Sequence, residues 1–219
     1  MYRYIALGDS ITAGYSATGP ARAYPSRVVT MLCEHRCIAS GDILAEAGWT
    51  SADLNAAVLG DFPGPLPAAN AISVWVGGDD LVDAAFAMLA RGSAASAKTI
   101  VPMTLKRYGR DLTAMITAIR RVSKAKLILC TQYNPFPNSP LAAEAVASLN
   151  SVTATVASQT GCVLAPVHAW FSGQEARLIA GYRSGRIEDA LRGNPAVHPN
   201  NRGHLVIAEN LTPLVGTRW

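Results

Sequence analysis

The chain has 219 residues, of which 50% are hydrophobic and 16% are charged, with a formal net charge of +4. This length and composition suit one globular domain over 1–219 with a full-sized core, and they exclude a disordered chain. The positive charge is small, and its densest stretch, 106–126, is typical of a solvated helix face, so we expect no nucleic-acid partner.

The sequence shows no membrane or zinc-binding pattern. Its first residues, MYRYIALGDS, lack a basic leader, and no segment reaches the roughly 18 apolar residues of a membrane span. The sequence as written therefore predicts a cytoplasmic protein, or a secreted one if a leader has been removed. Cys33, Cys37, Cys130 and Cys162 form no CxxC pair, so we expect buried free thiols and no metal site.

Short, wholly apolar runs alternate with helical patterns along the chain. Four runs have the length and composition of strands buried on both faces: 3–9, 71–78, 126–133 and 162–167. A weaker strand pattern, GDILAEAG, ends at Gly48.

Three segments show the 3.6-residue period of an amphipathic helix. The first begins at Leu105, with Thr104 as its expected N-cap; the second begins at Leu141 and stops at Gly161; the third covers 203–214. Strands and helices that alternate in this way predict an α/β fold with a parallel sheet.

One serine lies where an α/β fold places reactive groups. The segment IALGDSITAG puts Ser10 just past the first strand, with its N–H at the start of a helix, a position that favours negative charge. Taken alone, a turn or a helix cap explains this segment equally well. Three further segments follow it in order: AEAGWTSADL with Gly48, WVGGDDL with Asp79 and Asp80, and VHPNNRGH with His198.

These four segments, in this order, resemble the sequence blocks of the SGNH (GDSL) hydrolase superfamily. The matching blocks run from Gly8 to His204, which is essentially the whole chain. The resemblance implies a three-layer α/β/α sandwich with a mostly parallel, flavodoxin-like central sheet. It also implies an enzyme that cleaves carboxylic esters and needs no metal or organic cofactor.

The resemblance implies that the partner is a small-molecule acyl ester, but it does not fully determine the reaction. The loops at 60–67 and 133–140 are short and form no lid, which predicts a preference for short acyl chains. An acyltransferase that uses the same site is one alternative. A binding domain that keeps the fold but has weakened catalysis is the other.

The resemblance also implies roles for single residues. Ser10 would be the nucleophile and His198 its base, because a serine hydroxyl is a poor nucleophile until a base takes its proton. The oxyanion hole would consist of the N–H groups of Ser10 and Gly48 and the side chain of Asp79. We expect His204 to be a structural residue of the last helix.

Two positions depart from the family pattern. Asp79 replaces an asparagine, and an ionised carboxylate cannot donate a hydrogen bond to an oxyanion. Asp79 must therefore be protonated, through burial and the field of the next aspartate, or turn away from the hole. Pro195 replaces the aspartate that the family has three residues before the histidine. The candidates to orient the ring of His198 are then Asn194, Pro195 through its carbonyl, and Asp189.

Overall fold

The computed structural model describes residues 1–34, 38–60, 64–91, 94–191 and 196–216. Five strands within these ranges form one parallel sheet in the order β2-β1-β3-β4-β5. They are Tyr2–Gly8 (β1), Ala39–Ala45 (β2), Ala71–Trp75 (β3), Lys126–Cys130 (β4) and Val163–Ala165 (β5). This order is that of a doubly wound, flavodoxin-like sheet. The predicted fold class is confirmed.

Helices cover both faces of the sheet. They are Ser10–Ala13 (α1), Tyr24–Glu34 (α2), Ser51–Gly60 (α3), Gly78–Arg91 (α4), Ala94–Val122 (α5), Pro140–Thr160 (α6), Val167–Phe171 (α7), Glu175–Leu178 (α8) and Asn201–Val215 (α9). Short 3-10 turns occur at Pro20–Arg22, Leu66–Ala68 and Ile187–Leu191. The three layers are therefore helices, sheet and helices.

β1 shows how the core is divided between the two faces. Tyr4 and Ala6 pack in one cluster with residues of α2 and α9, whereas Ile5 and Leu7 pack in a second cluster with residues of α3, α5 and α6. All four side chains are fully buried. Because neighbouring residues of a strand point to opposite faces, a strand covered on both sides must be apolar throughout.

The four predicted strands are confirmed, although each ends earlier than its apolar run. The apolar residues that follow a strand remain buried without pairing: Val76 is 3% exposed and Tyr133 is 2% exposed. They line the loops at the carboxyl edge of the sheet. Buried loop residues give the same apolar pattern as strand residues, so the predicted strands extended too far.

The predicted start of α5 was wrong. The helix begins at Ala94, so Thr104 lies inside it and is not an N-cap. From Tyr108 to Ile119, α5 buries an apolar stripe against the sheet. α5 also packs on α3, α4 and α6. By contrast, α6 ends as predicted, with Gly161 as a left-handed C-cap at φ 64°.

Several side chains of the basic stretch have structural partners. Lys126 Nζ donates to the carbonyl oxygens of Leu214 and Gly216, at 3.0 and 2.7 Å, and Arg120 donates to that of Gly161 at 3.1 Å. These cations lie at the C-terminal ends of α9 and α6, where the helix dipole favours positive charge. Among the described helices, none is long and apolar enough to cross a membrane.

The cysteines differ from expectation in their exposure. Cys33, Cys130 and Cys162 are free, as predicted, but only Cys130 is buried, and Cys33 is exposed. Cys33 lies near the end of α2 on the solvent side, where the helix needs no apolar contact. Cys37 lies outside the described residues.

Candidate active site

The carboxyl ends of three neighbouring strands lie at one level. Ala45 of β2 pairs with Gly8 of β1, and Gly8 pairs with Trp75 of β3. The candidate site residues that follow these ends are, in the same order, Gly48, Ser10 and Asp79. The strand order reverses between β1 and β3, and open α/β sheets bind ligands outside the carboxyl ends of their strands at such a switch point.

Ser10 is the first residue of α1. Asp9 caps the helix, and its carboxyl oxygen accepts a hydrogen bond from the N–H of Ile11 at 3.0 Å. The N–H of Ser10 has no carbonyl partner within the helix, as is general at a helix N-terminus. A Cβ at Gly8 would overlap Thr12 Oγ1 and the carbonyl oxygen of Trp75. Gly8 is thus required by this close approach.

His198 lies beside Ser10. Its Nε2 is 2.9 Å from Ser10 Oγ, within hydrogen-bond distance. Ser10 is 9% exposed and His198 is half-buried. Burial lowers the pKa of His198 below its usual 6.5, so the ring is neutral at pH 7. A neutral imidazole can accept the serine proton, whereas a charged one cannot.

The loop that carries His198 is held on both sides. The N–H of Ala180 donates to the carbonyl oxygen of His198 at 2.9 Å. The hydroxyl of Tyr133 donates to the carbonyl oxygen of Val197. Asn200 then ends the loop as the N-cap of α9, where its side chain accepts from the first free N–H groups of the helix. These bonds fix the backbone of His198 relative to the sheet.

The structure does not bring Asp189 to His198. Its Oδ2 accepts hydrogen bonds from the N–H and hydroxyl of Ser184, at 2.8 and 2.9 Å, and from the N–H of Gly185 at 3.0 Å. Burial alone would raise the pKa of Asp189, but these hydrogen bonds together outweigh that effect and lower the pKa. Within the described residues, Nδ1 of His198 has no hydrogen-bond partner. Outside the described residues lie the other two candidates, Asn194 and Pro195.

Gly48 presents an unpaired donor. Its φ of 83° is a left-handed conformation that glycine adopts readily, and its N–H has no acceptor in the described part of the chain. The adjoining helix α3 is anchored by Asp80, whose carboxylate accepts from the N–H and hydroxyl of Ser51 at 2.8 and 2.6 Å. Asp80 therefore joins the start of α3 to the start of α4, and it fixes Gly48 relative to Asp79.

Asp79 is half-buried in the first turn of α4, with no hydrogen bond to another described residue. Burial, and then the negative charges of Asp80, Asp83 and Asp53, raise its pKa to about 6. Burial is also the main cause that raises the pKa of Asp9 to about 8. At neutral pH, Asp9 therefore keeps its proton, and Asp79 exchanges between its neutral and ionised forms.

His204 has the structural role that was expected. It is fully buried in α9, where its Nδ1 accepts from the N–H of Tyr24 at 3.3 Å and its Nε2 donates to the carbonyl oxygen of Tyr15 at 3.2 Å. Burial lowers its pKa to about 4. Tyr15 was not predicted as a site residue. Its ring centroid lies 5.5 Å from that of His198, and its only signal in the sequence is its place shortly after Ser10.

A serine hydroxyl beside a neutral imidazole, at the ligand-binding edge of a doubly wound sheet, has the composition of a hydrolase site. The sequence profile of the GDSL-like lipase/acylhydrolase family matches residues 6–206. The chain belongs to this family, as its four sequence blocks predicted, and it is a carboxylic ester hydrolase.

Crystal structures of three proteins show the same fold. The lipase Lip_vut3 from a goat rumen metagenome is 22% identical, covers 97% of each chain and has a TM-score of 0.79. A catalytic mutant of the acetylxylan esterase Axe2 from Geobacillus stearothermophilus is 19% identical, with 100% of this chain and 95% of that chain covered and a TM-score of 0.74. Phospholipase A1 from Streptomyces albidoflavus is 19% identical, covers 97% of each chain and has a TM-score of 0.71. No curated protein matches the chain significantly.

Proposed function

We propose that the chain hydrolyses carboxylic esters through an acyl-enzyme on Ser10, with His198 as general base and then general acid. The observation that carries this proposal is the 2.9 Å distance between Ser10 Oγ and His198 Nε2. A ring nitrogen at this distance from the hydroxyl supports the proton transfer that the mechanism requires.

The two half-reactions use the same pair of groups. Ser10 Oγ bonds to the acyl carbon while Nε2 takes the hydroxyl proton, and the carbonyl oxygen becomes an oxyanion. The bond to the alcohol then breaks, and the imidazolium of His198 gives its proton to the leaving oxygen. Water next adds to the acyl-enzyme with Nε2 as base, and the carboxylic acid leaves as Ser10 recovers its proton.

The oxyanion is bound by up to three donors in this proposal. The N–H groups of Ser10 and Gly48 have no competing acceptor among the described residues, so both are free for a ligand. Asp79 is the third donor, in its neutral form only, because a protonated carboxyl group donates one hydrogen bond and an ionised one donates none. Burial and the neighbouring carboxylates raise its pKa to about 6, so the neutral form becomes abundant at mildly acidic pH.

The histidine works without an aspartate three residues before it. From the sequence, we assign the orienting acceptor to an oxygen of Asn194 or Pro195. A neutral oxygen fixes the tautomer of His198 but stabilises the imidazolium less than a carboxylate does. We therefore expect modest turnover.

Short acyl groups fit the shape of the site best. Gly48 is exposed and Tyr15 is 51% exposed, so the surroundings of Ser10 are open rather than enclosed. A groove of about 690 Å³ lies elsewhere, between α5 and α6, with Leu105 and Val152 in its walls. An open site offers little apolar surface to a long chain, and long chains gain affinity mainly by burying such surface.

Ser10→Ala tests the proposal, with Ser151→Ala as the matched control because Ser151 is an exposed serine of α6. The wild type and the control should hydrolyse 4-nitrophenyl acetate and bond covalently to a fluorophosphonate probe. Ser10→Ala should do neither and should melt at nearly the same temperature. Hydrolysis retained by Ser10→Ala would refute the assignment. Products formed with an added alcohol would reveal acyl transfer.

A further inference from the structure

We infer that Tyr15 is the positioning residue of the catalytic histidine: its backbone is tied to α9 through His204, and its ring holds the imidazole of His198 against Ser10. This inference rests on the proposed function, since it concerns the same serine and histidine. It assigns to an aromatic side chain part of the orienting task that a carboxylate performs in a serine triad.

The ring of Tyr15 has one clear partner. Its centroid lies 5.5 Å from that of His198, with the two planes tilted by 40°, which is within the usual separation of interacting aromatic rings. Tyr15 is 51% exposed, and its hydroxyl has no hydrogen bond to another described residue. An exposed ring of this kind adds little to the core, so we assign its role to the contact with His198.

The backbone of Tyr15 is fixed at both of its polar groups. Its N–H donates to the carbonyl oxygen of Ser10 at 3.0 Å, and its carbonyl oxygen accepts from His204 Nε2 at 3.2 Å. The next residue, Ser16, has φ 62°, a left-handed conformation that is uncommon outside glycine. Such strain persists where the surrounding structure determines the backbone, and it occurs often at functional sites. The backbone of Tyr15 thus links Ser10 to α9, the helix that follows His198.

A second tie joins the same two regions. The N–H of Thr18 donates to Asn201 Oδ1 at 3.0 Å, and Asn201 Nδ2 donates to Thr18 Oγ1 at 2.8 Å. Asn201 is the first residue of α9, shortly after His198. Residues 15–18 are therefore held to the first turn of α9 at two points, and the nucleophile and base loops are fixed to each other.

His198 needs this support because its described polar contacts lie at one end of the ring. Its Nε2 faces Ser10, and no described residue bonds to Nδ1. Rotation about the bond to the ring would carry Nε2 away from Ser10. Tyr15 packs on the ring and opposes that rotation. Tyr15 also covers the ring from solvent, and the nearest titratable group of α9, His204, is neutral above about pH 4.

Two substitutions separate a positioning role from other roles. Tyr15→Phe keeps the ring and should retain turnover, whereas Tyr15→Ala should lower kcat by about tenfold or more with little change in KM, because small displacements of catalytic groups reduce rates by up to about a hundredfold. Fluorophosphonate labelling should slow in parallel. The acid limb of kcat/KM should move to higher pH in Tyr15→Ala, since burial lowers the pKa of His198 and the variant exposes its ring.

Phe86→Ala is the control, because Phe86 is an aromatic residue of α4 that is 63% exposed, and it should leave kcat and the pH profile unchanged. An unchanged kcat in Tyr15→Ala, or a change confined to KM, would overturn the inference. If the melting curve shows that Tyr15→Ala does not fold, Tyr15→Leu supplies the same comparison without the flat ring. Failure of the proposed function would look different, because the wild type would then not be labelled or Ser10→Ala would remain active.

Discussion

Replacing Asp79 with asparagine should remove the alkaline limit on the activity of this enzyme. In the proposed mechanism, neutral Asp79 donates a hydrogen bond to the oxyanion, whereas ionised Asp79 cannot donate one and repels the oxyanion. Burial and the charges of Asp80, Asp83 and Asp53 raise the pKa of Asp79 to about 6. The donor is therefore present below that pH and is lost as the pH rises through it, whereas an amide donates at every pH.

The size of the effect follows from the pKa. With a value of about 6, about one molecule in ten keeps the proton at pH 7 and about one in a hundred at pH 8. If only these molecules turn over, kcat/KM of Asp79→Asn should exceed that of the wild type by about tenfold at pH 7 and about a hundredfold at pH 8. Loss of one oxyanion donor typically reduces kcat by about a hundredfold to a thousandfold, so the loss of the Asp79 donor can account for a difference of this size.

The assay is the pH profile of kcat/KM with 4-nitrophenyl acetate, corrected with Ser10→Ala for spontaneous hydrolysis. Asp83→Asn is the matched control, because exposed Asp83 affects the pKa of Asp79 only through its charge. Loss of that charge lowers the pKa of Asp79, so the alkaline limb should move to lower pH but should persist. Identical limbs in the wild type and Asp79→Asn would refute the reasoning. A large loss of kcat/KM in Asp79→Asn at every pH would show that the carboxylate has another role.

Three further outcomes are expected. The kcat/KM for acetyl and butyryl esters should exceed that for a lauroyl ester, because the site is open, and the reverse order would contradict this. Asp189→Asn should lower the melting temperature, because the carboxylate of Asp189 accepts hydrogen bonds from Ser184. It should reduce turnover far less than the roughly ten-thousandfold loss seen when the acid of a serine triad becomes its amide. A loss equal to that of His198→Ala would instead identify Asp189 as the missing acid. Asp9→Asn should keep the helix cap and raise the free energy of unfolding at pH 8 but not at pH 4. The folded chain keeps the Asp9 proton to about pH 8 while the unfolded chain releases it near pH 4, so wild-type stability falls as the pH rises between these values. Urea unfolding at both pH values measures this, and an equal effect at both would disprove it.

The fold class could be predicted because burial on both faces leaves a plain mark on a strand. β1 from Tyr4 onward and β3 are almost entirely apolar and buried, and the ranges of both strands were found to within a few residues. β2 is a sheet edge whose residues are only partly buried, so its pattern is mixed and its prediction was weak. Ser10 could be placed at the carboxyl edge of the sheet because it follows β1, whereas His198 was assigned through the resemblance of its sequence block.

The contacts that join the segment after Ser10 to the first turn of α9 could not be predicted. The bond between Tyr15 and His204 spans 189 positions, and the bonds between Thr18 and Asn201 span 183. Each is a single polar contact, so it imposes no period on the sequence. Asp80 presents a similar case. It follows Asp79 in the sequence, but its bond to Ser51 depends on how α3 and α4 meet.

Burial acts in opposite directions on the pKa values of the two titrating groups of this site, and both effects favour the uncharged forms that the proposed mechanism needs. In water, histidine is charged below about pH 6.5 and aspartic acid is ionised above about pH 4, so no pH leaves both mostly neutral. Here burial lowers the pKa of His198 and raises that of Asp79 to about 6. Both shifts increase the fraction of molecules in which the two groups carry the correct proton at mildly acidic pH. In the proposed mechanism, the acid limb of activity belongs to His198 and the alkaline limb to Asp79. Tyr15→Ala should move only the first and Asp79→Asn only the second, and a profile in which either variant moved both limbs would show that the two groups titrate as one coupled pair.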